Sequence, residues 1–463
     1  MTGVSAGSIA GSLRGGFARR ASTRRKQAQA KRRARSLEHS LLLTATMCLL
    51  AFGVVMVFSA SSSAALLGDS GDGAYYLKRT LMFGVLGLIA LRLLSVHGLA
   101  AVRQLTPALL GVAFVLLLLT MVPGIGSSAN GAQRWIVAGP VQIQASEIAK
   151  VALLLYGASV LAERPRMTRD LRGMAPFLAI VGVACMLIVI EPDLGTAMVT
   201  SFSVSALLIA AGAKLRHLAL IATVLAVFVV IAVLIEPYRM ARLTTFLNPG
   251  TDTSGAGFQS MQASIALGSG GFFGVGLGES VQKAFYLPEA HTDMIAAVIG
   301  EELGLFGITV LVGLYMLLGY AGFRTAQKAR DRYGRLLAAA LTAMIMVQAS
   351  INLFAVLGLA PLTGVTLPFV SYGNSSLIVT LAAVGLLLNV AGGGRAAAKP
   401  ASTRRRALDP RGSLRILDGG GGRGGAGTGQ VRRSGGSRAA GGDRRRRDGG
   451  ARGAVAGRRR RAR

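Results

Sequence analysis

Ten apolar runs of about 20 residues dominate this chain, and they leave few folds open to it. Twenty helical residues rise about 30 Å, the thickness of a bilayer's hydrocarbon core, where every backbone amide must find its partner within the chain. The runs fall near residues 41–60, 77–96, 105–123, 147–163, 173–190, 194–213, 217–235, 294–323, 335–358 and 375–392. Of 463 residues, 52% are hydrophobic and only 15% charged, which is sparse charge for a soluble chain. The sequence therefore predicts an all-α polytopic membrane protein with about ten transmembrane helices. Glu191-Pro192-Asp193 alone separates the fifth and sixth runs, giving a tight hairpin or a long helix broken at the proline.

The net charge of +31 is unevenly placed. Residues 1–40 hold ten Lys/Arg and one acid, and residues 395–463 hold twenty-one Lys/Arg and four acids. The reading is a basic disordered tail (1–40), a membrane domain (41–392) and a Gly/Arg-rich disordered tail (393–463). Such tails suit an anionic lipid surface or an acidic partner, or are solvated sequence with an orienting role only. No nucleic-acid partner is expected. Every even-numbered loop is basic: Arg92 and Arg103, then Arg164 to Arg172, then Lys214 and Arg216, then Arg324 to Arg335. Ten spans with both termini in the cytoplasm satisfy that pattern. Cys48 and Cys185 sit inside apolar runs and read as small packing residues.

The odd-numbered loops then face outward, and they carry the polar motifs. Loop seven (236–293) is the longest, and a structureless loop of that length is uncommon unless it has a function. Its end, YLPEAHTD, places Glu289, His291 and Asp293 directly before the eighth run. Asp293 reads as a helix N-cap, or as a general base at the membrane–water boundary. Glu147 and Lys150 share a face at the start of helix four, as a structural ion pair or as costly intramembrane charges kept for function. Arg134-Trp135 is an interfacial anchor or a cation for phosphate. Glu191 and Asp193 cap helix six or form a second acidic wall of a polar cavity. Glu301 and Glu302 are adjacent, so at least one faces a cavity or a cation. Arg239, Arg242 and Lys283 are available to neutralise a diphosphate. The glycines from Gly268 to Gly278 fit no nucleotide-binding pattern and are read as allowing close backbone packing. His291 is the only histidine placed in an outer loop, and it reads as a shaper of that loop. No metal-ligand cluster and no G-x-S-x-G nucleophile motif is present in the sequence.

In chain order these motifs are GAQRWI (131–136), QIQASEIAK (142–150), EPDLGTA (191–197), GFQSMQASIALGSGG (257–271), SVQKAFYLPEAHTD (280–293), GEELG (300–304) and PLTGVTLPFVSYGNSS (361–376). Together they resemble the SEDS family (shape, elongation, division and sporulation) over residues 41–392. PEAHTD followed by GEELG, with SVQK upstream, resembles its division branch, and the Arg-rich tail fits an actinobacterial member. Ala145 stands where the family commonly has Pro, and Asn374 where it commonly has a second Gly that a positive φ would favour.

The resemblance implies a peptidoglycan glycosyltransferase that polymerises lipid II at the outer face of the cell membrane, at the division septum. It also implies a class B penicillin-binding protein and other divisome membrane proteins as partners. Asp293 is then the essential acid, with Glu147, Lys150 and Asp193 facing it. Arg134, Gln144, Ser146, Arg239, Arg242, Lys283, His291, Glu302 and Ser371 complete the candidate cavity and substrate-binding set. A divalent cation, Mg or Mn, would assist the leaving diphosphate, although the sequence contains no dedicated site. Two other readings stay open: a lipid II flippase, and a scaffold that recruits the septal transpeptidase without catalysing anything.

Overall fold

The computed structural model describes residues 37–66, 71–124, 126–129, 132–138, 141–248, 255–284 and 286–394. Residues 1–36 and 395–463, nearly all of the two basic tails, lie outside the described residues, and residues 37–40 belong to the first helix. Among the described residues, ten helical segments are long and apolar enough to cross a membrane. They begin with α1 (Leu37–Leu66) and α2 (Tyr75–Thr120). Helix α2 holds two spans, Tyr75–Val96 and Leu99–Thr120. Its halves run in opposite directions: Tyr76 meets Tyr372 at one end of the molecule, Leu94 and Ser95 meet Asn389 at the other, and Thr120 meets Glu191 back at the first.

Three short strands follow, β1 (Gly126–Ala129), β2 (Ala132–Ala138) and β3 (Val141–Gln144), in an antiparallel sheet ordered β1-β2-β3. The chain continues through α3 (Ala145–Glu163), α4 (Leu171–Ile190), α5 (Leu194–Ala211) and α6 (Leu215–Ile235). Loop seven contains two helices, α7 (Pro237–Leu247) and α8 (Ala256–Ser269). Three more spans complete the bundle: α9 (Ile295–Lys328), α10 (Arg332–Val356) and α11 (Asn374–Ala391).

Local chemistry sets the boundaries. Pro165 follows the end of α3, Gly212 closes α5 in the left-handed region at φ 86, and Pro237 opens α7 where its missing N–H costs nothing. Asn374 is the first residue of α11 and helical, so that position needs no positive φ. The most enclosed spans are α3, α10 and α11. By contrast α6 buries only His217 and Ala232 and stands at the edge of the bundle.

The two ends of the bundle differ. One holds the basic loops, where Lys328 pairs with Glu38 and Arg103 with Glu163 at 3.1 Å. The other holds every motif singled out above.

Candidate active site

The segment before α9 is folded back on itself. Glu289 takes a left-handed φ of 54, and its carbonyl accepts the Thr292 amide at 3.0 Å. The N-cap position of α9 is Met294, and no side chain caps it, so Asp293 is not a helix cap. Thr292 Oγ1 lies 3.3 Å from Asp293 Oδ1. Burial raises the Asp293 carboxyl to about 6, the charge of Glu289 adds to the rise, and the Arg242 guanidinium opposes it. The His291 ring stacks 4.3 Å from Tyr76 and 5.5 Å from Tyr372, and its carbonyl accepts the Tyr372 amide at 2.9 Å. It shapes the loop. Burial lowers its pKa.

Lys150 is almost completely buried, with Nζ 2.9 Å from Glu147 Oε1 and 2.7 Å from Gln348 Oε1. The expected pair therefore forms inside the protein. One turn further along α10, Asn352 Nδ2 donates to the main-chain carbonyl of Asp293 at 2.8 Å. Neither Gln348 nor Asn352 stood out in sequence analysis. The available signal was two amide side chains in an otherwise apolar helix, where unpaired polar groups are costly.

Asp193 caps α5 through the Thr196 amide at 3.1 Å and also accepts from Gln144 Nε2 at 2.9 Å and Ser146 Oγ at 3.0 Å. It is both cap and junction, tying β3 and α3 to the turn between α4 and α5. Gly195 beside it meets the loop before α11, and a Cβ there would lie 2.8 Å from Thr363 O. Glu191 instead accepts from Thr120, and burial raises its carboxyl to about 7. Ser371 Oγ accepts the Leu367 amide at 2.8 Å, which folds that same loop.

An apolar groove of about 830 Å³ opens between α5, α6, α7 and α10. Met198, Phe202, Val230, Leu234, Ile351 and Phe354 contribute to its walls, and Arg134, Arg239 and Arg242 line it too. Arg134 donates to Pro192 O; Arg239 donates to Val189 O at 2.6 Å and Ala232 O at 3.0 Å; Arg242 donates to Leu362 O at 3.0 Å and stacks 4.6 Å from the Tyr238 ring centroid. Arg134 Nε, Arg242 Nε, Glu147 Oε2 and Glu191 Oε2 are buried without a partner. These four lie at the motif-bearing end and are open to a polar ligand there, while His217 Nδ1, Asp331 Oδ1, Arg332 Nε and the Tyr333 hydroxyl are likewise unpartnered at the opposite end.

Lys283 and Glu302 are not in this groove. They pair with each other at 2.7 Å; Ser59 Oγ lies 2.7 Å from both Glu302 oxygens, and Lys283 also donates to Gly278 O at 2.7 Å. They sit where α9 is broken, at Gly304, with φ 65 and ψ −160. The backbone bonds lost in the break are restored by the glycine-rich segment. Leu305 and Phe306 donate to Gly271 O and Phe272 O, and Val275 and Gly276 donate to Glu301 O and Glu302 O, all at 2.9–3.0 Å. A Cβ at Gly274 would lie 2.1 Å from Glu302 O, so the segment approaches the helix as only glycine permits. Glu301 accepts from Ser280 and the Val281 amide. Among the described residues no group of three or more His, Cys, Asp or Glu is arranged to hold a metal ion.

Probable peptidoglycan glycosyltransferase FtsW of Thioalkalivibrio sulfidiphilus is 45% identical over 364 residues, covering 78% of this chain and 90% of that one. Stage V sporulation protein E of Bacillus subtilis is 41% identical over 353 residues, 76% of this chain and 96% of that one. Among solved structures, the rod shape determining protein RodA of Thermus thermophilus superposes with a TM-score of 0.56 at 30% identity, covering 76% of this chain and 95% of RodA. A chain from a peptidoglycan synthase complex that coordinates polymerization and crosslinking gives 0.63 at 34% identity, covering 76% and 96%. The family model of the FtsW, RodA and SpoVE cell cycle proteins matches residues 39–395, and the chain belongs to that family.

Proposed function

We propose that this chain is a peptidoglycan glycosyltransferase of the division type, polymerising lipid II at the outer face of the cell membrane. The curated relatives named as FtsW peptidoglycan glycosyltransferases support the activity. The observation that carries the site assignment is the double position of Arg242. It lines the apolar groove, and its charge acts on the Asp293 carboxylate. A substrate with a polyprenyl tail in the groove and its diphosphate on Arg134, Arg239 and Arg242 brings its reactive sugar towards Asp293.

The chemistry then balances with one base. Asp293 takes the proton from the acceptor 4-hydroxyl. That oxygen forms a bond to the donor anomeric carbon as the carbon–oxygen bond to the diphosphate breaks, and the electron pair leaves with the diphosphate. A single displacement inverts the anomeric centre and converts an α-linked donor into a β-linked strand. The arginines stabilise the leaving charge, and a carboxyl held near 6 suits proton transfer at neutral pH. The motif-bearing end lies opposite the basic loops, which favours an outward-facing site. A class B penicillin-binding transpeptidase is the proposed partner, with other divisome membrane proteins at the septum. The basic tails would bind anionic lipid or an acidic division protein.

The test is polymerisation of labelled lipid II by the full chain with its cognate transpeptidase. Wild type is expected to make long glycan strands, and Asp293→Ala and Asp293→Asn to make none while the complex still assembles. Normal strands from both variants would remove Asp293 from the mechanism. Movement of lipid II across a bilayer by wild type without any polymer would instead favour a flippase.

A further inference from the structure

Gln348 and Asn352 lie four residues apart on α10, so both project from one face of the helix. Each is only 2% exposed. Gln348 accepts from Lys150 Nζ at 2.7 Å and donates through Nε2 to Thr366 O at 3.1 Å. Asn352 donates through Nδ2 to Asp293 O and to Val365 O, both at 2.8 Å. The two amides therefore grip consecutive carbonyls of the loop before α11. With their remaining bonds they grip the buried lysine on one side and the residue proposed as base on the other.

The chemistry of the amide fixes these orientations. Only the NH₂ end can face two carbonyls, and only the oxygen can face an ammonium. Elsewhere α10 is largely apolar, and a buried amide there costs free energy unless its bonds are made. Asn352 acts on the main chain of Asp293, which sets where the carboxylate stands. Gln348 supplies one of the two oxygens that hold the Lys150 ammonium.

We propose that Gln348 and Asn352 are positioning residues, fixing Asp293 and the Lys150–Glu147 pair to one turn of α10 so that turnover depends on them and substrate binding does not. The proposal rests on the reading of Asp293 as the base. A reacting group displaced by about 1 Å can lose on the order of 100-fold in rate.

The experiment measures lipid II polymerisation by monodisperse complexes of Gln348→Met, Gln348→Glu, Asn352→Leu and Asn352→Ser, with Asp293→Asn alongside. In Gln348→Met and Asn352→Leu, kcat is expected to fall about 10- to 100-fold while KM moves less than about threefold. Asn352→Ser loses the same amide with less bulk and is expected to follow Asn352→Leu. Gln348→Glu keeps an oxygen at Lys150 and is expected to retain more activity than Gln348→Met. A merely structural role predicts the reverse, because a buried methionine is tolerated better than a buried carboxylate. Wild-type turnover in Asn352→Leu or Asn352→Ser, or Gln348→Met matching Gln348→Glu, would overturn the proposal while Asp293→Asn stays inactive. Activity in Asp293→Asn would instead remove the base on which the proposal stands.

Discussion

Lys283 and Glu302 form a 2.7 Å ion pair with both side chains almost fully buried, and Ser59 of α1 closes the pair from the other side. The pair pins the end of the glycine-rich segment to the broken part of α9. Removing one partner leaves a buried charge alone, which typically costs about 3–5 kcal/mol. Glu302→Leu and Lys283→Met are each expected to destabilise the protein by an amount in that range. The double variant should recover most of the loss, as read from thermal unfolding in detergent. Equal and additive losses would mean that the two charges do not depend on each other.

Asp293 should couple activity and stability in opposite directions. Its carboxyl is raised to about 6, with burial as the largest cause. The folded protein thus binds its proton more tightly than the unfolded chain does. The associated stability is fully present below the ordinary carboxylate range and is lost as pH rises through about 6. Catalysis needs the ionised form, so the rate should fall on the acid side of about 6. Asp293→Asn is expected to abolish polymerisation yet raise the unfolding temperature at neutral pH. A variant that loses both activity and stability would contradict this account.

The arginines of the groove should separate by role. Arg242 bonds Leu362 O, lines the groove and lowers the Asp293 carboxyl through its charge, whereas Arg239 bonds two carbonyls at the ends of α4 and α6. Arg242→Ala is expected to raise KM for lipid II and lower kcat together, by roughly 10-fold or more each, the scale of a lost charge-assisted bond. Arg242→Lys should restore little, because a point charge does not reproduce the planar fork. Steady-state kinetics on the three proteins decides it, and full rescue by lysine would mean that charge alone matters.

Gly274→Ala offers a steric test. The added methyl would lie 2.1 Å from Glu302 O, and the residue sits at φ 83. Overlap with backbone has no cheap relief, so a loss of at least about 2 kcal/mol is expected. Gly268→Ala, where nothing lies within 4 Å of the added atom, is the control and should unfold like wild type.

Much of this was legible in the sequence because the solvent is a bilayer. Ten apolar runs gave ten spans, and the Glu147–Lys150 spacing gave a pair that does form. The cap was one of two roles open to Glu191 and Asp193, and Asp193 takes it. What stayed hidden is long-range pairing. Lys150 and Gln348 are 198 residues apart, and no local pattern links them. Lys283 reads as a phosphate partner in the sequence because its charge is visible there, while the break in α9 that brings Glu302 to it is not. The sheet lies in a segment that reads as loop, because strands of only four to seven residues carry little periodic signal. The two amides of α10 carry no local motif, and only their burial shows that they need partners.

The break in α9 has one further consequence. The amides of Leu305 and Phe306 are held by the glycine-rich segment, and the amides of Val275 and Gly276 are held by the helix. Neither strand of this exchange can open without releasing the other. The four amide protons should therefore trade with solvent deuterium at one shared rate, as a single cooperative opening that spans two distant stretches of chain.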